Sequence, residues 1–559
     1  MTVKFADITA DAPDFEALKN HYSAIEQRLA ANDTSVVLAA IDQWDKSRRD
    51  VQTWQSLTHL RFNQDTRNEA YKQAREHCDE LTPRITELDV RIKKKLVASP
   101  LREKLAEQIG AHCFALWESN VTTYDPVIEQ DVVAEAKLEA EYNELLAAAR
   151  LDFRGESLNH EGIDKYKFDG DRDTRYESMK VKWDWFRAHG EKLDDLYDRL
   201  VKLRDQMARK LGMDNYIQLG YRRMTRVDYD QHDVERYRAA VRDHVVPVCE
   251  EICRRKANTL GIDKTMFWDE AVHRPEGNPV PNGDHDWMIG QAKTMFDRIG
   301  YGLGDFFRIM ADNGYLDLKN REGKAGGGFC TDLTSYGMPF VFANFNGTVD
   351  DVRVFTHEIG HAFQAYSSRD KRLVDYLWPT YDACEIHSMG LEFLTFPFMD
   401  LFFGDQAEVF CNDHLISSLM FLPYGVAVDH FQHLIYADPT ASAAARHEMW
   451  QSVEKIYLPF RDYGDLPYVK DGGRWQLQRH IYLSPFYYID YTLALACALQ
   501  LWVRSRQDRG DTMRDYVALC ERGGEAPFQQ LAASANLVSP FQANALQEVT
   551  AEVKKELNI

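Results

Sequence analysis

The chain has 559 residues, with 67 Lys and Arg against 88 Asp and Glu, a formal net charge of −21 and a pI near 5.4. A nucleic-acid-binding protein carries the opposite balance, so that partner class is not expected. Hydrophobic residues make up 45% of the chain and charged residues 28%, a globular composition able to build sizeable cores.

The first 30 residues contain no apolar run behind a basic patch, which argues against a secretory leader and for a cytoplasmic protein. From about residue 13 to 260, charged segments carry apolar residues at helical spacing. Leu145, Leu146, Ala149 and Leu151 form one such set, and Leu193, Leu196, Leu200 and Leu203 another, so antiparallel helices are predicted. The basic run Arg91–Lys104 reads as a solvated helix face rather than a phosphate site. Cys249 and Cys253 lie four apart without a second Cys/His pair nearby, and the nine cysteines are scattered, so neither a metal knuckle nor a disulfide framework is expected. Three prolines and two glycines between His273 and Trp287 predict a surface loop.

After Tyr315 the pattern changes. Glycines, alternating residues and β-favouring aromatics as far as Asp351 predict short strands, the one such region in the chain. Within it, alternation along Phe340, Phe342 and Asn344 suits an edge strand that an extended peptide pairs with. Gly326, Gly327 and Gly328 read as a flexible turn. Helices then return. The longest apolar stretch, Tyr491–Val503, has 13 residues, short of the roughly 20 a membrane span needs, and reads as a buried helix.

Directly after the strands, VRVFTHEIGHAFQAY carries His357, Glu358 and His361 as HExxH. On a helix, positions i and i+4 share one face about 6 Å apart along the axis, so both imidazoles reach one metal with Glu358 beside it. Catalytic zinc keeps three protein ligands and an open position, so a third ligand must come from another helix. YDACEIHSMGLEF offers Glu385, 24 residues after His361, and Glu392 two turns further along the same face. Glu385 is the favoured ligand and Glu392 a neighbouring carboxylate, with Asp382 and His387 as weaker supporting candidates.

HEIGHAFQAY, followed by CEIHSMGLEF with glutamates seven apart, resembles the M3 metallopeptidases, the thimet oligopeptidase and oligoendopeptidase F group. RHIYLSPFYYIDYTLALA resembles that family's His/Tyr segment, and GKAGGGFC with PFVFANFNG its substrate-side strands. The wording PFYYIDY points to the oligoendopeptidase F branch, as does Gln364, where the thimet branch has a further histidine.

The resemblance implies a mainly α, zincin-type metallopeptidase with a deep substrate channel and one small β-sheet beside the active-site helix. Residues 1–195 would form a helical lobe over the channel and 196–559 the catalytic domain. One zinc ion would be held by His357, His361 and Glu385, with Glu358 as general base. His480 and Tyr488, read as lying on one helix-like run, would donate to the carbonyl or oxyanion. Tyr491, Asn344 and Gly347 would contact substrate. Short unfolded peptides would be the partners, without nucleic acid or membrane. The competing readings are a dipeptidyl carboxypeptidase and a catalytically silent peptide-binding scaffold. The former needs a cation for the terminal carboxylate, and no single Arg or Lys can be nominated from the sequence.

Overall fold

The structure is a computed structural model describing residues 3–559. It is mainly helical, as expected. Five short strands interrupt the helices: β1 (Leu151–Phe153), β2 (Glu156–Leu158), β3 (Leu316–Lys319), β4 (Phe329–Leu333) and β5 (Met338–Phe345). No helix among the described residues is long and apolar enough to cross a membrane.

The chain divides into two compact units, each assembled from three stretches. The first comprises the stretch ending at Val121, Val280–Glu408 and Cys497–Ser539; the second comprises Thr122–Pro279, Val409–Ala496 and Pro540–Ile559. The boundary expected between residues 195 and 196 falls instead inside one uninterrupted helix, Arg172–Lys210.

In the first unit, helices Phe15–Leu29, Thr34–Gln64 and Glu69–Val97 begin at Asp14, Asp33 and Asn68, whose side chains accept backbone N–H groups of the first turn. Their apolar faces meet around Tyr22, Ile41, Trp44 and Ile92, joined by Trp117 of helix Ala111–Thr122. The expected strand region forms a three-stranded sheet in the order β3-β5-β4. β5 pairs in parallel with β3 and antiparallel with β4. The expectation that PFVFANFNG offers a free edge is therefore wrong: β5 is the central strand, and both rows of its backbone groups are engaged. The unbroken buried run from Met338 to Ala343 shows that the strand is also covered on both faces. β4 is an edge, and its Thr331 hydroxyl donates to Ser56 Oγ at 3.2 Å.

In the second unit, Leu193, Leu196 and Leu200 are fully buried along helix Arg172–Lys210, as their spacing predicts, while Leu203 is only partly buried. Arg204 is buried with them because its guanidinium meets Glu135, Glu139 and the Tyr482 carbonyl. The set Leu145 to Leu151 is not one helix. Helix Glu129–Ala147 ends, and Leu151 opens the β1-β2 hairpin, so a second small sheet joins the expected one. Arg154 and Gly155 both take positive φ there (52° and 83°), the requirement of a two-residue hairpin turn.

Candidate active site

Two helices of the first unit carry the HExxH motif and its partners. Val349–Ser367 begins after the turn Asn346–Gly347, whose backbone N–H groups donate to Asp351. Tyr381–Leu394 follows Pro379 and Thr380. The helices meet at Gly360: a Cβ on it would lie 2.6 Å from both the His387 carbonyl oxygen and Ser388 Cα. Only glycine admits that approach.

The approach brings Glu385 under both histidines. Its Oε2 lies 3.2 Å from His357 Nε2 and 3.3 Å from His361 Nε2, and the three donor atoms fall within 4.8 Å of one another. Ligands about 2.0–2.1 Å from a tetrahedral ion stand about 3.3 Å apart, so these separations suit a shared metal. Second contacts hold the donors in place. His357 Nδ1 lies 2.7 Å from Glu392 Oε1, and Ser388 Oγ donates to Glu385 Oε2 at 2.9 Å. A neutral His357 whose Nδ1–H is given to Glu392 presents its Nε2 lone pair to the Glu385 carboxylate. Two lone pairs facing each other call for a cation between them.

The electrostatics agree. Burial opposes charge at Glu385, but hydrogen bonds from His357 and His361 outweigh it and hold the carboxyl well below its usual range, so the ligating anion is favoured. Burial likewise opposes charge on His357, and Glu385 and Glu392 overcome it, raising its pKa well above the ordinary imidazole value, so that without an ion a proton on Nε2 takes the place the cation would fill. Glu358 differs. It is buried, its Oε2 has no hydrogen-bond partner, and burial raises its pKa against the pull of the two histidines. That is the setting of a carboxylate able to accept and release a proton. The start of β4 lies beside it: a Cβ on Gly328 would be 3.8 Å from Glu358 Oε1.

The weaker candidates take local roles. Asp382 accepts from the Thr380 hydroxyl at the helix start, and His387 Nδ1 faces the Cys384 carbonyl. Asn344 turns to the glycine-rich turn, donating through Nδ2 to the Ala325 and Gly327 carbonyls. Gly347, at φ 83°, belongs to the turn that Asp351 secures.

His480, Tyr488 and Tyr491 lie in the second unit, and the helix-like run expected for them is broken. Arg479–Leu483 is one short helix and Tyr488–Gln507 another. Between them Phe486 takes φ 67°, a costly conformation for an aromatic residue. It is held there by Gln432, which accepts the Phe486 N–H, and by Arg226, which donates to the Phe486 carbonyl and to Asp490. The break still gathers the rings. The His480 centroid lies 5.0 Å from that of Tyr488 and 5.8 Å from that of Tyr491.

A directed chain of hydrogen bonds sets the tautomer of His480. Arg474 Nη1 donates to Tyr424 Oη (3.3 Å), the Tyr424 hydroxyl donates to Gln478 Oε1 (2.8 Å), and Gln478 Nε2 donates to His480 Nδ1 (2.8 Å). Arg474 can only donate, which leaves the Tyr424 hydroxyl proton for Gln478 Oε1 and turns the Gln478 amide N–H to the ring. His480 accepts at Nδ1 and therefore carries its proton on Nε2. Burial, with Arg479 nearby, lowers its pKa and favours that neutral form.

Residues 5–124 match the peptidase M3 N-terminal domain, and residues 301–550 match peptidase family M3. Along the whole chain, the structure is similar to that of PZ peptidase A with an inhibitor, at 41% identity, 99% coverage of both chains and a TM-score of 0.92. The chain belongs to peptidase family M3, oligoendopeptidase F type. A second M3 structure, assigned as oligoendopeptidase F, is 41% identical over 100% of this chain and 99% of its own, with a TM-score of 0.92. A third, so assigned from Bacillus anthracis, is 39% identical over 100% of this chain and 98% of its own, with a TM-score of 0.87. No curated protein matches the chain by sequence. An M3 peptidase with these donors is a metallopeptidase, and the three donors grouped closely enough to hold a metal are His357, His361 and Glu385. Sequence reasoning missed Gly360, Ser388, Gln478 and Tyr424. Ser388 had a signal in its i+3 spacing from Glu385, and Gln478 lies only two residues before His480; Gly360 and Tyr424 act through neighbours distant in the chain.

Proposed function

We propose that the protein is a zinc-dependent oligoendopeptidase of the cytoplasm that hydrolyses internal bonds of short, unfolded peptides. The observation that carries this reading is the convergence of His357, His361 and Glu385 beside a buried, unpartnered Glu358 carboxylate oxygen. His357, His361 and Glu385 would hold one zinc ion, which supplies Lewis acidity to the scissile carbonyl and acidifies the attacking water. Glu358 takes the proton of that water as its oxygen bonds to the carbonyl carbon, then passes it to the amide nitrogen as the C–N bond breaks. Glu392 and Ser388 orient the donors. His480, through Nε2–H, and Tyr488, through its hydroxyl, donate to the carbonyl oxygen as it gains charge, while Tyr491 contacts the peptide. The hydrogen bonds of Asn344 and Gly347 favour a supporting role for both, holding the turns beside β5 and the HExxH helix.

The test is zinc analysis together with cleavage of a quenched peptide blocked at both ends, with and without a chelator. Stoichiometric zinc and chelator-sensitive cleavage of the blocked peptide are expected. Cleavage only of peptides with a free C-terminus would replace this reading with a dipeptidyl carboxypeptidase, and zinc-free, inactive protein would replace it with a binding scaffold.

A further inference from the structure

The second unit contains a cavity of about 280 Å³ that the reaction scheme leaves unused. Ile252, Met266, Ile416, Met420 and Phe460 give it apolar walls, and Lys256, Arg461 and Arg474 bring three cations to its lining against one carboxylate, Glu270. In a chain of net charge −21 this local balance is inverted.

The cations are not equally satisfied. Arg461 is neutralised, since its Nε and Nη2 engage the two oxygens of Glu270 at 2.6 and 3.1 Å, with Glu454 behind it at 3.8 Å. Lys256 and Arg474 are not. Lys256 Nζ donates to the backbone carbonyl of Glu270 at 2.7 Å, and Arg474 Nη1 to the phenol oxygen of Tyr424. Both acceptors are neutral, and Arg474 Nε is buried with no hydrogen-bond partner. Burial pulls the Lys256 ammonium below its ordinary pKa, as befits a cation short of a counter-charge. Two half-buried cations facing one cavity without carboxylates of their own make a site for an anionic group.

The position of the cavity ties it to the proposed carbonyl donors. Tyr424 forms part of its wall, hydrogen-bonds through Gln478 to His480, and places its ring centroid 5.8 Å from that of Tyr488. Phe421, also in the wall, stands 5.6 Å from Tyr488. We infer that the cavity is a substrate subsite for a carboxylate-bearing residue of the peptide, held by Arg474 and Lys256 within apolar walls. The inference rests on the peptidase reading above and adds the chemistry of one substrate position. The carboxylate comes either from the peptide C-terminus or from an Asp or Glu side chain.

The experiment compares kcat/KM for matched quenched peptides: C-terminal acid against amide, and Glu against Gln at each position around the cleaved bond. Wild-type protein should prefer one carboxylate member by roughly tenfold to a hundredfold, the scale of a charge-assisted hydrogen bond lost from a buried site. A preference within the acid/amide pair assigns the group to the terminus, and one within the Glu/Gln pairs assigns it to a side chain. Arg474→Gln keeps a donor for Tyr424 but removes the charge, and Lys256→Met removes the second cation. Both should bring the ratio towards one, with the neutral peptide as each variant's internal reference, while Arg474→Lys should keep most of the preference. Equal kcat/KM for acid and neutral peptides in the wild type, or an unchanged ratio in both charge-removing variants, overturns the subsite alone. Failure of the wild type to cut any peptide overturns the peptidase reading and the subsite with it.

Discussion

Gly360 packs directly on the backbone of Ser388, at a separation where a Cβ would stand 2.6 Å from Ser388 Cα. Backbone cannot yield as a flexible side-chain end does, so Gly360→Ala must push the two helices apart and draw Glu385 away from His357 and His361. Overpacking of this kind costs about 1–3 kcal/mol. A lower melting temperature and at least a tenfold loss of metal affinity are expected in thermal unfolding and chelator-competition titrations. Wild-type zinc affinity in this variant would show that the glycine does not set the ligand geometry.

Glu358 has a buried carboxylate oxygen without a hydrogen-bond partner, whereas the histidines pair with Glu385. Glu358→Gln is nearly isosteric and leaves the three donors in place. Metal content should stay at the wild-type level while kcat falls by roughly 10²–10⁴-fold, the usual contribution of a positioned base. Substantial turnover by a metal-loaded variant would remove Glu358 from its assigned role.

Glu392 accepts the Nδ1 proton of His357 at 2.7 Å. Glu392→Ala frees the ring to turn and to change tautomer. Loss of such an outer partner typically weakens metal binding or activity by about 10–100-fold. Metal dissociation measured with a competing chelator checks this, and Glu392→Gln should recover part of the loss, because its amide oxygen still accepts from Nδ1.

The Gln478–His480 contact predicts a pH effect of definite sign. In the wild type His480 keeps its Nε2 proton whether neutral or charged, since Gln478 donates to Nδ1 in the neutral form. Titration of His480 should therefore not remove the donor. In Gln478→Glu, the carboxylate raises the His480 pKa above its present lowered value. Below that raised pKa both ring nitrogens carry protons. Above it the remaining proton moves to Nδ1, facing the carboxylate, and Nε2 is left bare. The variant should thus gain a loss of kcat with rising pH that the wild type lacks. A kcat–pH profile of unchanged shape would sink the tautomer assignment, and the imidazole ¹⁵N resonances report the proton position independently.

Much of the metal site can be read from the linear order of residues because its geometry is local. HExxH needs only one helix turn, and Glu385 and Glu392 lie on the next helix, two turns apart. The strand region is equally visible, since glycines and alternating aromatics mark it. Strand order is not. Nothing in PFVFANFNG reveals that β3 and β4 flank it on both sides. The break after Leu483 had a signal in Ser484-Pro485, since proline disfavours helix at the residue before it; the conformation of Phe486 had none. It is Arg226 and Gln432, far away in the chain, that hold Phe486 at positive φ. The cationic cavity is the extreme case: its lining comes from 252–273, 416–424 and 460–474, and none of these stretches is a motif alone.

The interleaving of the two units bears on how such a protein changes over time. Because each unit draws on three separate stretches, no continuous gene segment encodes either of them, and a fragment cut at residue 124 or begun at residue 301 would hold only part of each. Shuffling of whole modules is closed to this architecture. New specificity has to arise in place, by substitutions and loop changes within an intact reading frame, and engineering of the enzyme is held to the same route.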